Sequence, residues 1–194
     1  MRTLVLARHA ESELSLVDVL NGDPAVEVPL TPAGRAQARA LGADVGRVDL
    51  VAHTEFGRTR ETAELAWPEA PKLVVPELNE ISFGRFEGTH WSAGYHAWVK
   101  SSRPEDECPG GGESRLAAIR RYLRGYRTLL ARPEDRIALV AHGAPVRYLL
   151  LAQMGSPPVA VLEDVAPAQA FTLSNDELRH AIELIEGWAA APAF

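Results

Sequence analysis

Two stretches decide the fold: Thr3-Leu4-Val5-Leu6-Ala7-Arg8-His9 and Ile137-Ala138-Leu139-Val140-Ala141-His142-Gly143. Each is a near-continuous apolar run that meets a histidine, the pattern of a strand buried on both faces. Weaker strands are expected at 49–52, 72–75 and 170–173. Between them lie helical patterns. Thr31 supplies a cap, Pro32 a first helical position and Gly46 a stop for the Ala-rich segment between them. Residues 114–131 carry Leu116, Ile119, Tyr122, Leu123, Tyr126, Leu129 and Leu130 at helical spacing, with arginines on the other face. Shorter helices are expected at 57–66, 91–100 and 145–154. Strands alternating with helices predict a layered α/β domain with a mostly parallel sheet.

The chain has 194 residues, and domains commonly run to ~100–200 residues. With no repeat, low-complexity tract or Gly/Ser linker, residues 1–194 are expected to form a single domain. The Pro- and Gly-rich stretches 21–32 and 103–112 read as rims or surface excursions, the larger one spanning about 81–113. A hydrophobic content of 46% with 24% charged residues argues for a packed core and against disorder. A formal charge of −6 disfavours nucleic acid and anionic membranes as partners. Cys108 is the single cysteine, so no internal disulfide and no cysteine-built zinc site can form. The opening MRTLVLARHAES is neither a secretory signal nor a ~20-residue apolar span. A cytoplasmic protein is the expectation, and an oligomeric state cannot be read from this pattern.

Ligands of open α/β sheets bind beyond the carboxyl ends of the strands. Arg8-His9 and His142-Gly143 both stand there, and two histidines with an arginine make a compact cationic site that selects an anion. Arg58 opens the helix at 57–66, whose first turn offers backbone N–H groups to an anion. Arg60 and Glu61 read instead as a solvated helix face with Glu/Arg pairs. In Leu78-Asn79-Glu80-Ile81-Ser82-Phe83-Gly84-Arg85-Phe86-Glu87-Gly88 two carboxyls sit among aromatic rings and glycines. A carboxyl beside apolar rings gains a raised pKa and can serve as a general acid. Trp91, Tyr95 and Trp98 read first as packing for the excursion and second as a wall against a ring. His53, His90, His96 and His180 read as surface or loop residues. His9-Ala10-Glu11 lacks the cysteines of a zinc deaminase, and Gly110-Gly111-Gly112 lacks the lysine of a P-loop.

Taken in order, LVLARHAES, PLTPAGRAQARALG, GRTRETA, LNEISFGRFEG, PGGGES and IALVAHGAPVRYLL resemble the block series of the histidine phosphatase superfamily, which includes cofactor-dependent phosphoglycerate mutases; the resemblance covers residues 3–152. It implies a three-layer α/β/α sandwich of the phosphoglycerate mutase type and a reaction with no metal and no bound cofactor. His9 would be the nucleophile and Arg8 and Arg58 the phosphate clamp. His142 and the Gly143 N–H would donate to the transferring phosphoryl group. Glu80 would be the acid/base carboxyl. Ser15 and Asn21 stand where the family has Asn and Gln beside the phosphate. Other departures are Ala10 for glycine and His53-Thr54-Glu55 for Ser-Ser-Pro; Glu55 would compete with phosphate for Arg58 if it faced inward. The resemblance therefore implies a phosphomonoesterase acting on a small phosphate ester, since FGRFEG resembles the hydrolase branch. The alternatives are mutase-type transfer and a non-catalytic phosphate- or phosphopeptide-binding protein, which would not need Glu80.

Overall fold

In a computed structural model describing residues 1–194, the chain folds around a five-stranded sheet of order β3-β2-β4-β1-β5. The strands are β1 (Thr3–Arg8), β2 (Leu50–His53), β3 (Lys72–Val74), β4 (Arg136–Ala141) and β5 (Ala170–Ser174). The helices are α1 (Glu13–Leu16), α2 (Pro32–Val45), α3 (Gly57–Ala66), α4 (Tyr95–Ser101), α5 (Arg115–Leu130), α6 (Gly143–Gln153) and α7 (Asn175–Ala190). All neighbouring strands run parallel except β5, which is antiparallel to β1.

The two apolar runs sit at the centre, as their composition requires. Alternate residues of a strand face opposite sides of the sheet. Leu4 and Leu6 of β1 join Ile137 and Leu139 of β4 in the core under α5, α6 and α7. Val5 and Ala7 join Ala138 and Val140 in the core under α2 and α3. The result is the expected sandwich, with helices on both faces of the sheet. Caps fall where the residue types demand: Thr31 accepts the Gly34 N–H, Ser114 accepts the Ala117 N–H, and Gly46 ends α2 at φ 74°.

Two helices differ from the sequence reading, and the triple glycine packs against the chain itself. The strand at 170–173 is followed at once by α7, a 16-residue helix that was not foreseen. Ser174 and Glu177 form its capping box, and Leu178, Ala181, Ile182 and Ile185 bury its apolar face. The helix at 91–100 begins only at Tyr95, because Gly94 stands at φ 117°. The triple glycine brings backbone near backbone and not near the cleft: a Cβ at Gly112 would lie 2.6 Å from the Gly84 nitrogen.

The excursion between β3 and α5 extends the larger core through Phe83, Phe86, Tyr95 and Val99. One side chain ties it down. Arg115, 2% exposed, donates to the carbonyls of Val99, Ser102, Arg103 and Ala160, so it braces α4 and the segment after α6 together. No helix is long and apolar enough to cross a membrane. Replacing Arg115 by Leu orphans those carbonyls, and hydrogen bonds to a charged group are each worth ~1.5–3 kcal/mol. With partial rehydration, urea unfolding should show a loss of about 2–4 kcal/mol. A loss within the ~0.5 kcal/mol of an ordinary surface change would show that Arg115 is not the brace.

Candidate active site

The register of the central strands assembles the site. Arg8 pairs with Ala141 across β1 and β4, so the next residues, His9 and His142, stand side by side. Their ring centroids are 5.4 Å apart at an inclination of 65°. Both rings are buried.

The His9 ring is fixed in one tautomer. Nδ1 lies 2.8 Å from the Ala10 carbonyl oxygen and must carry its proton there, while Nε2 accepts from Arg58 Nε at 3.1 Å. Nε2 is therefore the unprotonated nitrogen, its lone pair held by Arg58 at the cleft wall. Burial lowers the His9 pKa well below the usual imidazole value, and the charges of Arg58 and Arg8 lower it further. A neutral ring with its lone pair aimed at an anion site is a nucleophile in waiting. Ala10 fits where the resemblance expected glycine, since positive φ among non-glycine residues is confined to Asp18 and Ala168. Its N–H donates to Thr62 Oγ1, which in turn donates to the Arg58 carbonyl.

Arg58, in the first turn of α3, is 5% exposed. Its Nη1 donates to Asn21 Oδ1, its Nη2 to the Asn21 carbonyl at 2.9 Å and to His142 Nδ1 at 3.3 Å, and its guanidinium lies 4.2 Å above the Phe56 ring. Burial lowers its pKa to about 10, still far above neutrality. His142 Nε2 sits 2.9 Å from Thr54 Oγ1, which contacts Thr59 Oγ1 at 2.8 Å, and Thr59 donates to the Phe56 carbonyl. Each hydroxyl has one proton, so the chain runs from His142 Nε2–H outward and leaves Nδ1 to accept from Arg58. Burial and the fields of Arg58, His9 and Arg8 hold His142 neutral.

Glu80 lies at the edge of the cleft, its carboxylate 3.8 Å from where a Cβ on Gly143 would stand. Burial raises its pKa above the usual carboxyl value, against the opposing pull of the Ile81 N–H and of Arg58 and Arg8. Gly143 opens α6, so its N–H has no partner inside the helix. Arg8 also lines the cleft; its Nη1 donates to Asp164 and to the Val165 carbonyl, and its buried Nε has no partner.

Arg8, His9, Arg58, Glu80, His142 and Gly143 thus converge. Ser15 and Asn21 line the same cleft in other roles. The Ser15 hydroxyl is spent on the backbone of Ser12, and the Asn21 carboxamide on Arg58 and the Asp23 carbonyl. Glu55 is exposed and turned outward, where it accepts from Asn79 Nδ2. It does not compete for Arg58. Glu87 braces the loops by accepting from the N–H groups of Gly22 and Phe83. Glu61 pairs across helices with Arg35 instead of along its own. His53, expected at the surface, is buried at the end of β2, and His96 lines the cleft.

Sequence reasoning missed three positioning groups. Thr54 fixes the His142 tautomer. Arg121 donates to the carbonyls of Glu77, Asn79 and Glu80 while paired with Glu113, and so holds the Glu80 loop. Asp164 covers Arg8.

The profile of the histidine phosphatase superfamily (branch 1) matches residues 4–179. The chain belongs to this superfamily. Among its relatives, a 2,3-bisphosphoglycerate-dependent phosphoglycerate mutase of Methylobacterium sp. (strain 4-46) is 32% identical over 77% of this chain and 79% of its own. The adenosylcobalamin/α-ribazole phosphatase of Salmonella typhimurium is 31% identical over 82% of each chain. The crystal structure of the α-ribazole phosphatase from Shigella flexneri superposes with a TM-score of 0.71 at 26% identity, covering 88% of this chain and 89% of that one. Superfamily membership and these relatives are consistent with phosphatase or mutase activity.

The lowered pKa of His142 has a measurable consequence. A dianion beside Arg58 and Arg8 cancels part of the field that keeps the ring neutral, so it favours a second proton on Nδ1. Orthophosphate binding at pH 8, followed by calorimetry in buffers of different ionisation enthalpy, should show net proton uptake that His142→Gln abolishes. Binding without uptake in the unaltered protein would mean that His142 stays neutral beside the anion.

Proposed function

We propose that the protein is a metal-independent phosphomonoesterase that hydrolyses a small phosphate ester through a phosphohistidine on His9. The observation that supports this most directly is the fixed tautomer of His9. Its unprotonated Nε2 lies 3.1 Å from Arg58 Nε in a cleft that Arg8 and a carboxyl of raised pKa also line.

In the first displacement His9 Nε2 attacks phosphorus. The N–P bond forms as the ester P–O bond breaks, and Glu80 gives its proton to the departing oxygen. The ring becomes cationic in this step, and its Nδ1–H donates to the Ala10 carbonyl, which spreads that charge. Arg58 and Arg8 hold the equatorial oxygens, where positioning and charge neutralisation supply most of the catalysis. Protonated His142 and the Gly143 N–H donate to the same group. In the second displacement Glu80, now a carboxylate, takes a proton from water as the water oxygen attacks phosphorus. The P–N bond breaks, orthophosphate leaves, and His9 and Glu80 return to their starting forms. The small-molecule ester is the only partner this cycle requires.

The relative named as a mutase motivates the competing reading, in which a second hydroxyl replaces water at the phosphohistidine. Product analysis separates the two, because transfer yields a new ester where hydrolysis yields orthophosphate. A binding protein would retain the pocket and need no proton donor.

With EDTA present, His9→Ala should abolish turnover and the acid-labile phosphoenzyme seen on rapid quench. Glu80→Gln should lower kcat/KM for an alkyl phosphate by ~10²–10⁴-fold, the usual worth of a general acid. The loss should be much smaller for p-nitrophenyl phosphate, whose leaving oxygen needs little protonation. Equal losses on both esters would remove Glu80 from the role of proton donor to the leaving group.

A further inference from the structure

The reacting groups occupy one end of a cleft of about 520 Å³. A water fills ~30 Å³ of liquid, and a phosphoryl group displaces only a few of them, so most of the cleft is left for what the phosphate is attached to. The walls of that remainder are apolar. Phe83, Trp91 and Tyr95 line one side, with Tyr95 perpendicular to Phe83 at 4.9 Å and Trp91 5.2 Å from Tyr95. Leu14, Val19 and Leu20 line another, and Val161 and Leu162 of the segment between α6 and β5 close the third.

The charges are one-sided. Arg8 and Arg58 are the only lysine or arginine side chains that line the cleft, and both face its phosphoryl end. The rim carries three exposed carboxylates, Asp18, Glu163 and Asp164. Glu163 is paired with Arg147, which lies outside the lining, and Asp164 sits on Arg8. Apart from His9 at the phosphoryl end, His96, tilted against Trp91 with ring centroids 5.3 Å apart, is the remaining basic group.

We propose that the leaving-group half of this cleft selects a neutral or cationic alcohol bearing a ring, and rejects one bearing a carboxylate. The inference rests on the phosphomonoesterase reading above and specifies its substrate class. A ring gains by burial against Phe83, Trp91 and Tyr95. A cationic substituent gains in addition from the indole face and the acidic rim. A carboxylate entering the same space loses its hydration, finds no free arginine or lysine, and meets Asp18 and Asp164. The pairing of Asp164 with Arg8 strengthens this selection. It blocks Arg8 from serving a substrate carboxylate on the rim side.

The test uses esters of one leaving-group chemistry: ethyl, benzyl, 4-carboxybenzyl and 4-(trimethylammoniomethyl)benzyl phosphate. Expected is a kcat/KM for benzyl phosphate at least ~10-fold above ethyl phosphate, as for apolar groups filling a pocket. The 4-carboxybenzyl ester should fall at least ~10-fold below benzyl phosphate, and the ammonium ester should match or exceed it. Trp91→Ala should shrink the benzyl-to-ethyl ratio. Asp18→Asn combined with Asp164→Asn should shrink the carboxylate penalty, chiefly through KM. Hydrolysis that ranks the carboxylate ester level with benzyl phosphate, or ethyl level with benzyl, overturns the proposal while leaving the phosphomonoesterase reading intact. Turnover of none of these esters defeats that reading instead. The binding order of benzylphosphonate and 4-carboxybenzylphosphonate, measured by calorimetry, then decides the cleft's selectivity by itself: tighter benzylphosphonate supports it, and equal or reversed affinity overturns it.

Discussion

The buried guanidinium of Arg58 is the constraint on which the site depends. A charge withdrawn from water is tolerated only when its donors are met, and here every partner belongs to the reaction centre or its supports. Nε meets His9, Nη1 and Nη2 meet Asn21, and Nη2 also meets His142. Those contacts require β1 and β4 to be neighbours in register, α3 to begin beside them, and the loop carrying Asn21 to fold back over the top. The same charge sets the protonation of the site. Both imidazoles are held neutral by burial and by Arg58, and a neutral imidazole is the form that can attack. One side chain thus positions the His9 ring and helps to keep it unprotonated.

The carboxyl opposite is held by a separate set of contacts. Arg121 of α5 reaches the carbonyls of Glu77, Asn79 and Glu80 in the Glu80 loop and is itself locked by Glu113. Glu55 and Asn79 exchange two hydrogen bonds, which tie that loop to the start of α3. The Glu55 departure, awkward when read as a rival for Arg58, therefore serves as an anchor for the residue beside Glu80. A general acid misplaced by ~1 Å can cost ~10²-fold in rate, so a cross-braced loop is what a proton donor at this position needs.

What the sequence made legible follows from how local each signal is. The central strands were readable because burial on both faces forces continuous apolar runs, and the histidines beyond them because strand ends are where ligands bind. Arg58 and Glu80 were only ambiguous candidates from the residues themselves, and the family blocks singled them out. Helix α7 was legible in principle, since Ser174 and Glu177 spell a capping box and Leu178, Ala181, Ile182 and Ile185 recur at helical spacing. Thr54, Arg121 and Asp164 act across separations of 88, about 41 and 156 residues. No local pattern encodes such contacts. His53 looked like a loop residue because a histidine after a short strand has no signature of burial.

The pairing of Arg8 with Asp164 raises a question of magnitude. It places a carboxylate on a residue proposed to hold a phosphoryl group. The carboxylate is 80% exposed, and ion pairs so open to water are worth ~0–1 kcal/mol. A phosphoryl dianion offers two negative charges within reach of Arg8, Arg58 and the N-terminus of α6, largely withdrawn from solvent, where charge-assisted hydrogen bonds are roughly twice as strong as neutral ones. The larger interaction wins, and it need not break the smaller one, because Arg8 has two separate faces. Nη1 is bound to Asp164 and the Val165 carbonyl, while Nε is buried without a partner. Asp164 and the Val165 carbonyl together fix the orientation of the Arg8 guanidinium beside the cleft.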